Sequence, residues 1–213
     1  MFQIYSTTVG ASLRWYKDLF DWRGPEDQGE GLSYDLLCEE AARSAPGANG
    51  VLYLPYLQGA QQCSAVSGSF RNLRLSTGKG DLTRALLEGC AMSVRYNMDQ
   101  MEAAAGMRAE EITVAGGGSK SPVWTQIFAD ILEKPLRVSA LKEAALTGAA
   151  MLAGKALGHS PRTVRAQTGR VLPDGGNRAA YRKIYGEFVK TFMKDIEDVV
   201  YRDKEVVSTS TSL

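Results

Sequence analysis

The sequence is short of the side chains that most often build metal and redox sites. It has a single histidine, His159, and three cysteines, Cys38, Cys63 and Cys90, which are far apart and form no Cys-x-x-Cys pair. One histidine cannot make a multi-histidine metal site, and a few scattered cysteines are typical of reduced thiols. The sequence therefore predicts no metal centre and no disulfide framework, and we interpret His159 as a surface or capping residue.

Net charge and long hydrophobic runs are also lacking. The 25 basic and 24 acidic side chains leave a formal net charge of +1, so no general electrostatic field favours nucleic acid or an acidic membrane. No apolar run approaches the ~18 residues that a membrane helix needs, and the first ten residues do not have the pattern of a signal peptide. We therefore expect a cytoplasmic protein that binds neither nucleic acid nor membranes.

Strand-like and helix-like segments alternate along the chain, which is typical of a layered α/β domain. The predicted strands cover residues 2–5, 50–55, 70–75, 112–115 and 136–138. The predicted helices cover residues 10–20, 32–43, 81–101, 122–132, 143–157 and 181–199. The domain is predicted as a main part at residues 1–160, a surface excursion and C-terminal helix at 161–200, and a disordered tail at 201–213.

Three consecutive glycines, residues 116–118, lie between a predicted strand and a predicted helix. Ser121 is placed as the N-cap of that helix and Pro122 as its first residue. Without Cβ atoms at the crossing, a flat ring or a phosphate can lie directly on the backbone, and the free N–H groups of the helix favour an acceptor there. The pattern is neither a P-loop nor a dinucleotide fingerprint. A nucleotide site and a tight turn that uses glycine only for packing both remain open from this motif alone.

Several sequence blocks, taken together, resemble one protein family. The glycine block GGGSKSPVWTQIFAD (116–130) and the block EAALTGAA (143–150) are similar to the adenosine-motif region of FGGY carbohydrate kinases, with the xylulokinase branch nearest. Three further blocks agree in order and spacing, namely GASLRW (10–15), LPYLQG (54–59) and DLTRALLEG (81–89). The resemblance therefore spans about residues 10–158.

This resemblance implies an actin-like (ribonuclease H-like) ATPase domain with a mixed sheet flanked by helices, one of two domains that close over ATP and a sugar. It implies that Gly117, Gly118 and Ser121 hold the adenosine of ATP or ADP, with Mg²⁺ on the phosphates, and that Gly10 and Arg14 line the nucleotide cleft. Trp15, Trp124 and Phe128 lie on apolar helical faces, so we expect them in the core rather than at a ligand. Asp130 and Glu143 also match the family, but we interpret them as residues that cap or brace helices and assign them no role as acid or base.

The family's catalytic parts are not among the matching blocks. Phosphoryl transfer needs a carboxylate base, phosphate-gripping hairpins and bound Mg²⁺, and the resemblance assigns the base to an N-terminal domain. No catalytic residue and no metal ligand is therefore predicted in this chain. The loop at residues 59–68 also departs from the family, because GAQQC and VSG stand where charged residues are usual.

We therefore expect the C-terminal ATP-binding half of a kinase that transfers the γ-phosphate of ATP to a sugar such as xylulose. It would be inactive without an N-terminal domain or partner chain that brings the sugar. A truncated kinase, a subunit of a split kinase and a degenerate relative all fit the sequence, and the last would be a non-catalytic nucleotide-binding or interaction module. An apolar face left uncovered would favour self-association, for example as a homodimer.

Overall fold

The computed structural model describes residues 9–21, 31–139, 141, 144–159 and 168–210. The predicted strand at residues 2–5 lies outside them. The helices in the described part are α1 (Val9–Phe20), α2 (Tyr34–Arg43), α3 (Lys79–Ala105), α4 (Pro122–Leu132), α5 (Ala144–Ala156) and α6 (Arg178–Ser210). The strands are β1 (Leu52–Leu54), β2 (Ser69–Arg71), β3 (Ile112–Val114), β4 (Leu136–Ser139) and β5 (Thr168–Val171), and short 3-10 turns cover Ala48–Gly50, Gly117–Lys120 and Gly175–Asn177.

Two small sheets form in the part of the chain that the structure describes. β1 and β2 pair antiparallel, with Tyr53 opposite Phe70. In the second sheet β4 lies in the middle, with β3 parallel to it on one side and β5 antiparallel to it on the other. Because parallel neighbours need a crossover connection, α4 links β3 to β4. This mixed sheet with flanking helices confirms the predicted α/β class.

α3 lies at the centre of the core and crosses directly over β1. Gly89 stands at the crossing, where a Cβ atom would lie 2.1 Å from the Tyr53 carbonyl oxygen. No side chain fits at that distance, so glycine is what lets the helix backbone touch the strand. All three residues of β1 are buried, as a strand covered on both faces requires.

A buried polar network joins α3 to its neighbours. Arg84 Nε donates to Glu88 Oε1 at 2.7 Å, and both side chains are buried. The same guanidinium donates to the Ser44 carbonyl and to the Tyr181 hydroxyl, each at 2.8 Å. The Gly47 N–H also donates to Glu88 Oε1 at 3.0 Å. Burial raises the pKa of Glu88, and the Arg84 charge opposes this rise. The network therefore ties α2, α3 and α6 together inside the protein.

One strand was not predicted from the sequence. β5 lies in the segment that we interpreted as a surface excursion, and it pairs with β4 from Thr168 opposite Ser139 to Val171 opposite Leu136. Its sequence, TGRV, has no alternation of apolar and polar residues, which is the usual signal of a strand. Pairing with β4 satisfies backbone groups that would otherwise face no partner. At residues 168–171, the predicted surface excursion is therefore corrected to a sheet strand.

Several element ends also differ from the prediction, those of α6 and β2 among them. α6 ends at Ser210, so residues 201–210 are helical where we predicted a disordered tail. The sequence has no glycine or proline after Gly186, so no helix-breaking residue intervenes. β2 ends at Arg71 rather than at residue 75, because Asn72 has a left-handed φ of 61°.

Candidate functional site

The glycine turn follows β3 and leads into α4. Gly116 has φ 101° and ψ −169°, a backbone conformation open to glycine alone. Its carbonyl accepts from both the backbone N–H of Ser119 at 3.2 Å and the Ser119 hydroxyl at 2.7 Å, which closes the turn. Gly116 is therefore required by the shape of the turn.

An open cavity of about 300 Å³ lies beside this turn, and we call it the glycine cavity. It lies where the start of α1, the end of β3, the glycine turn and α4 meet. Its lining residues are Val9, Gly10, Val114, Ala115, Gly117, Gly118, Ser119, Trp124, Thr125, Phe128 and Leu136. None of the described residues that line it is charged, so its walls favour an apolar or flat ligand over a bare anion.

The glycines of the cavity differ in what surrounds them. A Cβ atom on Gly10 or Gly117 would have no heavy atom within 4 Å, so both present bare backbone to open space. A Cβ atom on Gly118 would instead lie 2.7 Å and 2.9 Å from two ring carbons of Trp124. The two interpretations of the motif therefore apply to different residues, since Gly117 leaves room for a ligand and Gly118 leaves room for Trp124.

Ser121 acts as the predicted N-cap of α4. Its hydroxyl oxygen accepts from the Trp124 N–H at 3.2 Å, and the hydroxyl donates to Cys38 Sγ at 3.1 Å. The serine does not line the glycine cavity. It fixes the helix that carries the aromatic wall, and its direct contact with adenosine stays a prediction.

Arg14 also lies outside the glycine cavity. It is exposed on α1 beside a separate shallow cavity, which Ala11, Trp15, Asp18 and Leu19 complete. Of the five predicted binding residues, the structure thus brings Gly10, Gly117 and Gly118 together.

Two aromatic residues that we assigned to the core also line the cavity. Trp124 is 5% exposed and Phe128 is half-buried, with their ring centroids 5.9 Å apart. They stand one helical turn apart directly after the glycine turn, a spacing that could have indicated a shared wall. Trp15, by contrast, is 39% exposed, so its assignment to the core is wrong.

Other candidate reactive groups have structural roles. Asp130 is buried and accepts from Gln126 Nε2, the Asp174 N–H and Asn177 Nδ2 at 2.7–2.8 Å, so it braces the segment before α6. Glu143 lies outside the described residues. Cys90 is a buried free thiol whose pKa burial raises to about 12, which makes it a poor nucleophile.

No metal centre is found among the residues that the structure describes, since no group of three or more His, Cys, Asp or Glu side chains comes together there. The helices of the described segments include none that is both long and apolar enough to span a bilayer.

Comparison with known proteins identifies the family. A model of the FGGY family of carbohydrate kinases, C-terminal domain, matches residues 6–157. The autoinducer-2 kinase of Salmonella paratyphi A is 33% identical over 82% of this chain and 35% of its own length, and the L-fuculokinase of Escherichia coli O157:H7 is 32% identical over 73% and 31%.

A solved xylulose kinase from Rhodospirillum rubrum matches 87% of this chain and 38% of its own, with a TM-score of 0.71 and 32% identity. The chain therefore spans about a third of the length of these kinases, and it has their actin-like ATPase fold. On this match of sequence and fold, the chain belongs to the FGGY family of carbohydrate kinases, of which it carries the C-terminal domain.

Proposed function

We propose that this chain binds ATP and ADP through their adenosine part, in the glycine cavity. It serves as the C-terminal half of a kinase that transfers the γ-phosphate of ATP to a sugar such as xylulose. The observation that carries the proposal is the bare backbone of Gly10 and Gly117, which faces open space in a cavity bounded by Trp124 and Phe128. Xylulose is our choice of acceptor because the solved kinase of similar fold and 32% identity is a xylulose kinase.

The cavity suits the nucleoside rather than the phosphates. A volume of about 300 Å³ lies at the lower end of the range for small-molecule pockets. The bare backbone and the aromatic rings in its lining accept a flat base. Because the described lining holds no charged side chain, the phosphates extend away from it. Mg²⁺, which the family resemblance implies, would be carried by the phosphates of the bound ATP.

Catalysis needs the other half of the kinase. Bound ATP supplies the phosphoryl group, and a carboxylate of an N-terminal domain or partner chain takes the proton from the sugar hydroxyl. The described residues of this chain hold and orient the nucleoside, but they offer no charged group at the cavity to stabilise the transferring phosphate. We therefore expect the chain alone to bind nucleotide without sugar-dependent turnover.

Exposed leucines mark where a partner could pack. Leu146 and Leu152 on α5 and Leu19 on α1 are each more than half exposed. Burying such side chains is favourable by roughly 25 cal/mol per Å², so we propose that an N-terminal half covers some of these leucines. Without it the chain would form homodimers at high concentration, which light scattering can measure. Replacement of Leu152 by Ser should weaken that association.

Graded substitution of Gly117 tests the proposal. Gly117 has no left-handed φ and its missing Cβ faces open space, so Gly117→Ala and Gly117→Leu should fold normally. The leucine side chain would enter the cavity, and we expect it to weaken ADP binding by at least about tenfold, with a smaller loss for alanine. Gly186→Ala on α6, another glycine with open space at its Cβ, is the matched control.

Calorimetry with adenosine, ADP and ATP gives the measurement. Because no described lining residue is charged, the three should bind the parent chain with affinities within a few-fold of one another, with or without Mg²⁺. If the folded parent chain shows no heat of binding at about 1 mM nucleotide, or if Gly117→Leu binds as the parent does, the proposed function is wrong.

A further inference from the structure

Of the three glycines described in the lining of the glycine cavity, Gly118 alone lies against another residue at the position of its missing Cβ, and that residue is Trp124. A Cβ atom on Gly118 would lie 2.7, 2.9 and 3.4 Å from three carbons of the six-membered ring of Trp124. Real Cβ atoms essentially never approach closer than 3.0 Å. Gly118 does not have a left-handed φ, so its backbone conformation alone does not require glycine. The residue must be glycine because the indole ring occupies the space of a side chain.

The Trp124 ring is almost fully buried and belongs to the hydrophobic core, so it has little room to move away. Its backbone N–H is fixed by the Ser121 cap, and the Ser121 hydroxyl is in turn bonded to Cys38 on α2. Its indole N–H is buried and has no hydrogen-bond partner among the described residues, so packing alone sets the orientation of the ring. The ring packs beside Phe128 in the core. Added bulk at Gly118 would therefore move the turn rather than the ring.

Movement of the turn would reach the ligand. Gly117 precedes Gly118 in the same 3-10 turn, and its bare backbone forms part of the cavity wall. We propose that Trp124 is a positioning residue for the nucleotide: its ring, seated against the α-carbon of Gly118, holds the Gly117 backbone at the place where the nucleoside binds. This inference rests on the proposed function. It reassigns Gly118 from direct contact with the ligand to contact with Trp124.

A double-mutant cycle between residues 118 and 124 tests the inference. Gly118→Ala should weaken ADP binding by about tenfold, since overpacking of this kind strains a fixed structure. Trp124→Leu removes the ring carbons and should cost a few-fold on its own. In the double variant the alanine no longer meets a ring, so it should bind ADP at least about fivefold more tightly than the product of the two single losses predicts.

A second cycle, between Gly117 and Trp124, serves as the comparison for the cycle between Gly118 and Trp124. A Cβ atom on Gly117 would meet no carbon of the Trp124 ring, so Trp124→Leu should give no comparable steric relief of the Gly117→Ala loss. Circular dichroism of each variant ensures that affinities are compared between folded proteins, and Gly186→Ala again serves as the control. If Trp124→Leu does not fold, Trp124→Phe, whose ring reaches less far, replaces it in the same cycle.

The outcomes separate this inference from the function on which it rests. The positioning role would be wrong if the affinity losses of Gly118→Ala and the Trp124 variant simply multiply in the double variant, or if Gly118→Ala binds ADP as the parent does. Neither outcome would affect nucleotide binding by the parent. A folded parent that binds no adenosine, ADP or ATP would overturn both. If the Trp124 variant reduces the loss of ADP affinity caused by Gly118→Ala but not the loss caused by Gly117→Ala, the positioning role and the proposed function are both supported.

Discussion

Two sequence blocks that both resemble the FGGY family fold into regions of opposite character. The block at residues 81–89 forms a closed region, in which Arg84, Glu88 and Gly89 are buried against other parts of the chain. The block that begins at Gly116 forms an open region, where Gly117 faces a cavity. Charged residues and glycines in one family's motifs can therefore serve packing in one place and leave room for a ligand in another.

The largest change in stability is expected from breaking the buried ion pair between Arg84 and Glu88 in the closed region. Glu88→Ala would leave the Arg84 guanidinium buried without its carboxylate, and removing one partner of a buried ion pair costs about 3–5 kcal/mol. Urea unfolding of the two proteins would measure the difference. Glu40→Ala, which breaks the exposed pair between Glu40 and Arg43, should cost less than about 1 kcal/mol. Equal losses for the two variants would mean that the network is not closed to water.

The glycines give a second, intermediate effect. Gly89→Ala places a Cβ against the rigid Tyr53 carbonyl, and such overpacking costs typically about 1–3 kcal/mol or more. Gly117→Ala should change the free energy of unfolding by less than about 0.5 kcal/mol, as surface substitutions do. Thermal or urea unfolding compares them directly. If Gly117→Ala destabilised the chain as much as Gly89→Ala does, the assignment of Gly117 to an open cavity wall would be wrong.

A smaller effect concerns pH and Asp81, at the start of the closed block. Hydrogen bonds from the Ser44 hydroxyl and the Gly78 N–H lower the pKa of Asp81 below its ordinary value of 3.8. A carboxyl with a lowered pKa in the folded state stabilises the protein above its unfolded pKa, and this stabilisation is lost as the pH falls through the folded value. Unfolding of Asp81→Asn should therefore depend less on pH below 3.8 than unfolding of the parent. Identical pH profiles would show that these bonds contribute nothing.

The closed region was largely predictable from the sequence. The three- and four-residue spacing of apolar residues predicted α3, and the run at residues 50–55 predicted β1, because both depend on burial patterns that the chain itself carries. The cap at Ser121 was predictable for a similar reason, since capping uses a local side chain. What the sequence could not show is that Gly89 touches Tyr53, a contact between residues far apart in the chain.

The open region was less predictable. The sequence predicted the glycine turn. The helical periodicity of apolar residues also placed Trp124 and Phe128 inward, but it could not show that a cavity lies beside them. Arg14 was carried over from the family motif, whereas the structure places it on an exposed face of α1. β5 was missed because its pairing with β4 depends on a neighbouring strand rather than on its own residues. The mixed sheet and the family were nevertheless correct, since several blocks agreed in order.

The most direct test of the account is a titration of the isotope-labelled chain with ADP, followed through the backbone amide signals of its glycines. We expect the signals of Gly10, Gly117 and Gly118 to shift on binding and that of Gly89 to stay unchanged. Saturating ADP that left the Gly117 and Gly118 signals unmoved, or that shifted only signals distant from the glycine cavity, would contradict the account.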